Sequence, residues 1–401
     1  MSQGMCAPQF ARVREEFERN FAERGEVGAS VCVTIDGERV VDLWGGIADQ
    51  DSGRAWERDT ISVVFSSSKG ATALCLHILA ARRQVDLDAP VTTYWPEFGQ
   101  QDVTVGMVLA HRSGITTISE PLPDGAFFDW PLMTNVLARQ PPEWKPGSRH
   151  GYQALTFGWL AGEIVRRVSG RPLGAFLRTE VAEPLGLDLW FGLPESEEPR
   201  VAPMIFPAGD APDQARFMIL IGTEPESVPA RIFLNSGGYM LPGPLGFDSR
   251  AAHAAAIGAA GLITNARGLA GMYAPLACGG ELNGVRLVGE RELVRMGTTV
   301  SAGPDATLLH DTRFSYGFMR STDNRRRPPQ FRDSMILSSD AFGHPGFGGG
   351  IGFASPAHRM SFAYTMNNMG PGTLLNPRGQ RLVDAVYRSL GHTDDSAEIW
   401  R

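Results

Sequence analysis

Val63-Val64-Phe65-Ser66-Ser67-Ser68-Lys69-Gly70 runs directly into Ala71-Thr72-Ala73-Leu74-Cys75-Leu76-His77-Ile78-Leu79-Ala80, and the join between the two decides how the chain is read. The opening residues have strand composition. The alanine- and leucine-rich run behind them predicts a buried helix reaching about Arg83. Ser66 and Lys69 therefore form a Ser-x-x-Lys on the first helical turn, where residues three apart share a face and the amine reaches the hydroxyl. A helix N-terminus adds unpaired N–H groups and a partial positive field. A serine hydroxyl becomes a useful nucleophile once an adjacent base takes its proton. The same residues also fit a plainer description, a serine capping a helix, so the rest of the chain has to decide between them.

Working outward, the N-terminal side carries Phe10, Val13, Phe17 and Phe21 at helical spacing, with Gly25 placed to end an amphipathic helix. Residues 29–35 and 38–46 flank Asp36-Gly37, the signature of a β-hairpin. On the C-terminal side, Thr104 to His111 predicts a short helix, 114–147 a proline-rich irregular stretch, and Ala154 to Val168 a helix with Leu155, Trp159, Leu160, Ile164 and Val165 on its apolar face. A further helix is expected from Pro172 to Leu185, and 194–258 has little periodicity and reads as a long insertion. Another helix follows Thr264, then strands at 314–319, 350–354 and 360–366, and a closing helix over 382–390.

This order predicts an α/β (α+β) protein. One antiparallel sheet is built from both chain ends and flanked by helices, with a mainly helical domain inserted between them. The expected boundaries are 1–64 and 256–401 for the sheet domain and 65–255 for the helical one. Ser66 falls at their junction, where pockets form.

Composition narrows the function classes. A hydrophobic fraction of 43% and a charged fraction of 20% describe an ordered globular chain. A net charge of −7 supplies no basic face for nucleic acid. Cys6, Cys32, Cys75 and Cys278 are scattered, and the histidines show no His-x-x-x-His pair, so neither a disulfide framework, a metal site nor a cofactor is expected. No apolar run approaches the roughly 20 residues of a membrane span. Met1 to Pro8 lacks a basic segment followed by an apolar one, and a cytoplasmic protein is the expectation.

Three further stretches bear on Ser66: Gly151-Tyr152-Gln153-Ala154 just before a helix, Leu109-Ala110-His111-Arg112-Ser113-Gly114 at a helix end, and Gly343-His344-Pro345-Gly346-Phe347-Gly348-Gly349-Gly350 leading into a strand. With Trp44-Gly45-Gly46 and Gly261-Leu262-Ile263-Thr264-Asn265-Ala266, and in this order, they resemble the serine β-lactamase and penicillin-binding-protein superfamily, whose signature is Ser-x-x-Lys, Tyr-x-Asn or Ser-x-Asn, and Lys-Thr-Gly. The resemblance is nearest to the class C branch and, within it, to family VIII carboxylesterases. It implies a β-lactamase/transpeptidase-like fold. Ser66 is implied as the acylated nucleophile, Lys69 as the lysine that holds or accepts its proton, and Tyr152 as the general base. The backbone N–H groups of Ser66 and Phe347 are implied as the oxyanion hole.

The departures from that signature shape the expected substrate. Ala154 stands where Tyr-x-Asn has its amide, and His344-Pro345-Gly346 stands for Lys-Thr-Gly. A histidine is only partly charged near neutral pH, and a proline offers no hydroxyl to a substrate carboxylate. The expectation is therefore a carboxylesterase acting on small to medium, short-acyl esters through an acyl-Ser66 intermediate. Substrate contacts are expected from His344, Gly346, Phe127, Phe128 and Trp130, with Trp144 and Phe347 as further pocket aromatics. β-Lactamase, D-alanyl peptidase or acyltransferase chemistry on the same acyl-enzyme, or a binding protein that has lost turnover, are the alternatives. No Gly-x-Ser-x-Gly elbow of an α/β-hydrolase occurs in the chain.

Overall fold

The computed structural model describes residues 2–206, 215–396 and 399–401. The hairpin is built as its sequence demands. Strands β2 (Gly28–Ile35) and β3 (Glu38–Asp49) are joined by Asp36 at φ +53° and Gly37 at φ +82°, the two positive angles that a type I′ turn requires. The sheet order is β1 (Gln3–Cys6), β3, β2, then the strands Met360–Met366, Ile351–Ser355 and Phe342–Pro345, every neighbouring pair antiparallel. Both ends of the chain thus meet in one sheet, through the pairing of β2 with Met360–Met366.

Both faces of the sheet are covered, which is why β2 and the three C-terminal strands read as near-continuous apolar runs. Adjacent residues show the alternation. Gly352 faces Leu269 and Tyr273 of the helix Ala266–Ala277, so closely that a Cβ there would lie 2.6 Å from Leu269. Phe353, on the other face, stacks on Tyr387 of the C-terminal helix Pro377–Ser389 with centroids 6.4 Å apart. Helix α1 (Ala11–Glu23) packs beside that C-terminal helix and buries Val13 and Phe17. Beneath the same face the buried Glu26 pairs with Arg378 at 2.9 Å and accepts the Tyr364 hydroxyl.

Between the two halves of the sheet the chain is mainly helical. Helix α2 (Ser68–Ala81) is buried from end to end and packs against the helix Thr156–Ser169. A small sheet ties this region to the rest: Ser62–Val63 pairs with Ile263–Thr264, which also pairs with Leu189–Trp190.

Three expectations are corrected. Residues 314–319 are not one strand. Asp311–Phe314 pairs with Ser301–Pro304, after which Gly317 at φ +91° turns the chain and Met319 bridges to Gly343. Gln3–Cys6, which has no strand pattern, forms an edge strand because β3 offers it a partner. The insertion over 194–258 holds helices at Arg216–Thr223, Val228–Leu234 and Arg250–Ala254; its residues 207–214 lie outside the described residues.

Candidate active site

The approach to Ser66 is bent rather than smooth. Phe65 adopts φ +45°, a left-handed conformation that costs a non-glycine residue about 1–2 kcal/mol. A single 3-10 turn, Phe65–Ser67, then enters α2. The three serines divide the work of holding this turn. Ser67 Oγ donates to the His344 carbonyl at 3.0 Å, fixing the turn to the strand Phe342–Pro345. Ser68 Oγ bonds the Phe65 carbonyl and accepts the Leu262 N–H at 2.9 Å. Ser66 is left free to face Lys69 and Tyr152.

Lys69 is fully buried, and its Nζ lies 2.7 Å from the Ala154 carbonyl, 3.0 Å from the Ala259 carbonyl and 3.2 Å from Ser66 Oγ. The Ala259 carbonyl is brought in by a close helix approach: a Cβ on Gly158 would lie 2.4 Å from the Ala259 nitrogen. None of the three partners carries a negative charge, and burial holds the lysine well below its ordinary pKa. A carbonyl can only accept. The two carbonyls therefore take two N–H groups of the amine, and its remaining direction faces Ser66 Oγ.

Tyr152 closes the other side. Its phenol hydrogen-bonds Ser66, and its ring lies under Lys69 with Nζ 4.6 Å from the centroid. Burial, and secondarily the Asp305 charge, push its pKa up while the Ser66 contact opposes them, so the phenol keeps its proton. The Tyr152 segment is held at three backbone positions. The Gly151 N–H reaches the His111 carbonyl at 3.0 Å, the Tyr152 N–H reaches Asp305 Oδ1 at 3.0 Å, and the Gln153 N–H reaches His111 Nδ1 at 3.1 Å.

The glycine-rich turn after His344 brings Phe347 to the wall of the cavity that Ser66 lines. Gly346 packs against the Val64 carbonyl, where a Cβ would lie only 2.4 Å away. Its N–H bonds the Gly350 carbonyl at 2.7 Å, and the Gly349 N–H returns to the Gly346 carbonyl at 3.0 Å. The N–H groups of Phe347 and Ser66 are left without an acceptor among the described residues, the state required of an oxyanion-binding pair.

A cavity of about 60 Å³ opens beside Ser66. Phe65, Leu155, Phe217, Phe233, Met240, Leu308 and Phe347 supply its apolar wall. Phe217 and Phe233 come from the insertion and meet edge to face at 5.6 Å, and Phe233 also meets Phe347 at 6.3 Å. Arg231, two residues before Phe233 and so on the opposite helix face, anchors that helix through Glu143 at 2.7 Å and Thr117 at 2.8 Å. Sequence reasoning named Phe347 as a pocket aromatic but missed Phe217 and Phe233. The apolar spacing in 216–234 was the only available signal.

Five expected substrate contacts take other places. Phe127, Phe128 and Trp130 line a separate cavity of about 430 Å³ with Glu163 and Leu173, because Phe127 packs edge-on against Trp159 at 4.7 Å and Trp130 Nε1 donates to Glu163 at 2.8 Å. Gly346 is a packing position. His344 is buried off the cavity, stacked on Tyr152 at 5.8 Å, and burial with Lys69 nearby pushes its pKa down to about 3. Trp144, the further aromatic, lies under the Arg149 guanidinium at 4.6 Å.

Comparison with known proteins agrees with this geometry. The Beta-lactamase family profile matches residues 14–386. The chain is 34% identical over 379 residues to the Esterase/beta-lactamase LipL of Mycobacterium tuberculosis, covering 91% of this chain and 83% of that one. Its structure resembles that of a family VIII carboxylesterase, with TM-score 0.84 and 36% identity over 97% of this chain and 100% of the other. It also resembles a penicillin-binding protein homolog from Caulobacter crescentus, with TM-score 0.83 and 35% identity over the same shares, 97% and 100%.

Proposed function

The chain belongs to the Beta-lactamase family, and we propose that within it this protein is a carboxylesterase that cleaves small to medium esters of short acids through an acyl-Ser66 intermediate. The observation that carries this reading is the cavity wall. Its side chains beside Ser66 are almost all apolar and include no cation, and the residue in the place of the Lys-Thr-Gly lysine is a neutral, buried histidine. A β-lactam or peptide carboxylate has no partner there, whereas an ester needs none. The relative named esterase/beta-lactamase and the carboxylesterase neighbour support ester hydrolysis, the first without separating it from β-lactam hydrolysis.

The proposed chemistry follows from the two protonation states. The neutral Lys69 amine takes the Ser66 proton as Oγ attacks the ester carbonyl, and the Ser66 and Phe347 N–H groups hold the developing oxyanion. Preorganised donors of this kind contribute about 3 kcal/mol each. As the carbon–alkoxide bond breaks, the Tyr152 phenol gives its proton to the leaving alcohol and is reprotonated from the Lys69 ammonium. Water then attacks the acyl-enzyme, its proton passing to Lys69, and Ser66 leaves as the hydroxyl. Relative to the sequence expectation of Tyr152 as the base, burial, which lowers the amine's pKa and raises the phenol's, favours Lys69 in that role.

Intact-protein mass after incubation with p-nitrophenyl butyrate, and separately with a penicillin, tests the proposal alongside p-nitrophenol release. Rapid ester turnover that Ser66→Ala abolishes, with a slow or absent penicillin adduct, is the expected result. Fast penicillin turnover would overturn the substrate class.

A further inference from the structure

Asp305 belongs to none of the stretches that bear on Ser66, yet it binds the Tyr152 segment to the cavity wall. One carboxylate oxygen, Oδ1, accepts three backbone N–H groups: Tyr152 at 3.0 Å, Thr307 at 2.8 Å and Leu308 at 2.9 Å. The other, Oδ2, accepts the Thr312 hydroxyl at 3.0 Å and faces His150 Nε2 at 3.9 Å. The side chain is fully buried. His150 is itself tipped toward its neutral form by burial, so hydrogen-bond donors rather than a counter-ion satisfy the carboxylate. A parallel link, the Ala306 N–H to the His150 carbonyl at 3.1 Å, joins the same two segments.

Tyr152 and Leu308 both line the Ser66 cavity, one as the phenol at the nucleophile and the other as apolar wall. A hydrogen bond to an ionised acceptor is shorter and stronger than a neutral one. An oxygen serving three N–H groups fixes their relative positions, because moving any of them strains the others. We propose that Asp305 is the positioning residue of this site: it holds the Tyr152 phenol against Ser66 and, through the same oxygen, sets Leu308 as a fixed wall that limits acyl size. Proton relay and acyl selection are coupled through this one buried group. The inference rests on the reading of Tyr152 as the phenol that protonates the leaving alcohol.

Two variants and two readouts test it. Asp305→Ala removes the anchor, and Asp305→Asn keeps an Oδ1 acceptor at the same place. In the first readout, kcat and KM are measured on ethyl acetate and ethyl octanoate, whose poorly leaving alcohol needs the phenol's proton. In the second, the rate of Ser66 phosphonylation by ethyl p-nitrophenyl methylphosphonate is followed by intact mass. For Asp305→Ala the expected loss is about a hundredfold in kcat on the acetate with KM little changed, the scale of a misplaced catalytic group. The octanoate-to-acetate ratio of kcat/KM should rise as Leu308 is released. Asp305→Asn, which keeps the acceptor but loses its charge, should fall about fivefold in kcat and keep the wild-type ratio.

The proposal is overturned if Asp305→Ala folds with wild-type kcat and an unchanged ratio. It is equally overturned if both variants lose activity only in step with their melting midpoints while the ratio stays fixed. Should Asp305→Ala not fold, Asp305→Asn carries the test through a moderate fall in both kcat and phosphonylation rate; no change in either overturns the proposal. Wild-type protein that is phosphonylated at Ser66 but hydrolyses no ester would overturn the esterase reading alone, and the positioning role is then read from the phosphonylation rates.

Discussion

Lys69 Nζ lies 2.7 Å from the main-chain oxygen of Ala154. The position where the Tyr-x-Asn pattern has a side-chain amide therefore still reaches the lysine, but through its backbone. This distinction matters chemically. A side-chain amide can rotate to offer either a donor or an acceptor, whereas a carbonyl only accepts. With the Ala259 carbonyl opposite it at 3.0 Å, the Lys69 amine is held so that its remaining direction faces Ser66.

The pH dependence follows with a defined sign. Burial lowers the Lys69 pKa well below the ordinary 10.5, and the reaction needs the unprotonated amine. kcat/KM on p-nitrophenyl butyrate should rise as pH rises through the depressed pKa and level off well before 10.5. Between the depressed pKa and the ordinary 10.5 the unfolded chain binds a proton at this lysine that the folded chain does not, so stability rises with pH across that wider range, beyond the point where the rate levels off. Lys69→Met should remove that contribution to the stability slope and cost about 10²–10⁴-fold in kcat, the usual weight of a general base. A rate profile whose acid limb centres near 10.5 would show an ordinary solvated lysine and sink the assignment.

Restoring the family cation at position 344 should not restore the family substrate. His344 is 1% exposed, its Nδ1 meets the Pro345 carbonyl at 2.8 Å, and its Nε2 has no partner among the described residues. His344→Lys would bury an ammonium beside Lys69 without a counter-ion. An uncompensated buried charge costs about 3–5 kcal/mol, so urea unfolding should show a loss of that order with no gain in penicillin turnover. A variant of wild-type stability that turns over penicillin would contradict the placement of this side chain.

The legible parts of the fold and site were those whose determinants are local. The hairpin announces itself through Asp36-Gly37, and Ser66, Lys69 and Tyr152 lie in short patterned stretches. Gln3–Cys6 was hidden because its pairing depends on Val41–Trp44 of β3, not on its own composition. The stretch 314–319 looked like a strand because its β-forming residues outweighed Gly317, whose positive φ redirects the chain. Asp305 sits in an ordinary loop, and its role arises from a segment 153 residues earlier in the chain. Phe127 and Trp130 were misplaced for a related reason: an aromatic-rich loop indicates burial but not which cavity it borders.

Phe233, which lines the same cavity as Leu308, should also set the acyl-size limit. Its ring meets Phe217 and Phe347 at the cavity, while Arg231 and Glu143 hold its helix from behind. Phe233→Ala enlarges the cavity without disturbing that anchor. Each added methylene in an apolar pocket is worth about 1–3 kcal/mol, so kcat/KM on octanoate relative to butyrate should rise by about tenfold or more. An unchanged chain-length profile would place the acyl group elsewhere.

The buried ion pair between Glu26 and Arg378 gives a stability prediction separable from activity. Glu26 has no exposed side-chain surface, Arg378 has 6%, and they meet at 2.9 Å with the Tyr364 hydroxyl donating to the same carboxylate. Burial pushes the Glu26 pKa up against the opposing pull of Arg378 and Tyr364, so taking the pair out of water costs much of what its attraction returns. Glu26→Ala leaves the guanidinium buried and unpaired, at about 3–5 kcal/mol. The double variant Glu26→Leu with Arg378→Met, which removes both charges, should recover most of that loss, because replacing a buried pair with apolar groups is often close to neutral. Urea midpoints of the three proteins measure the difference, and kcat per folded molecule should stay at the wild-type level because the pair lies outside the Ser66 cavity wall. A double variant no more stable than Glu26→Ala would mean that the loss comes from packing around Tyr364 rather than from the stranded charge.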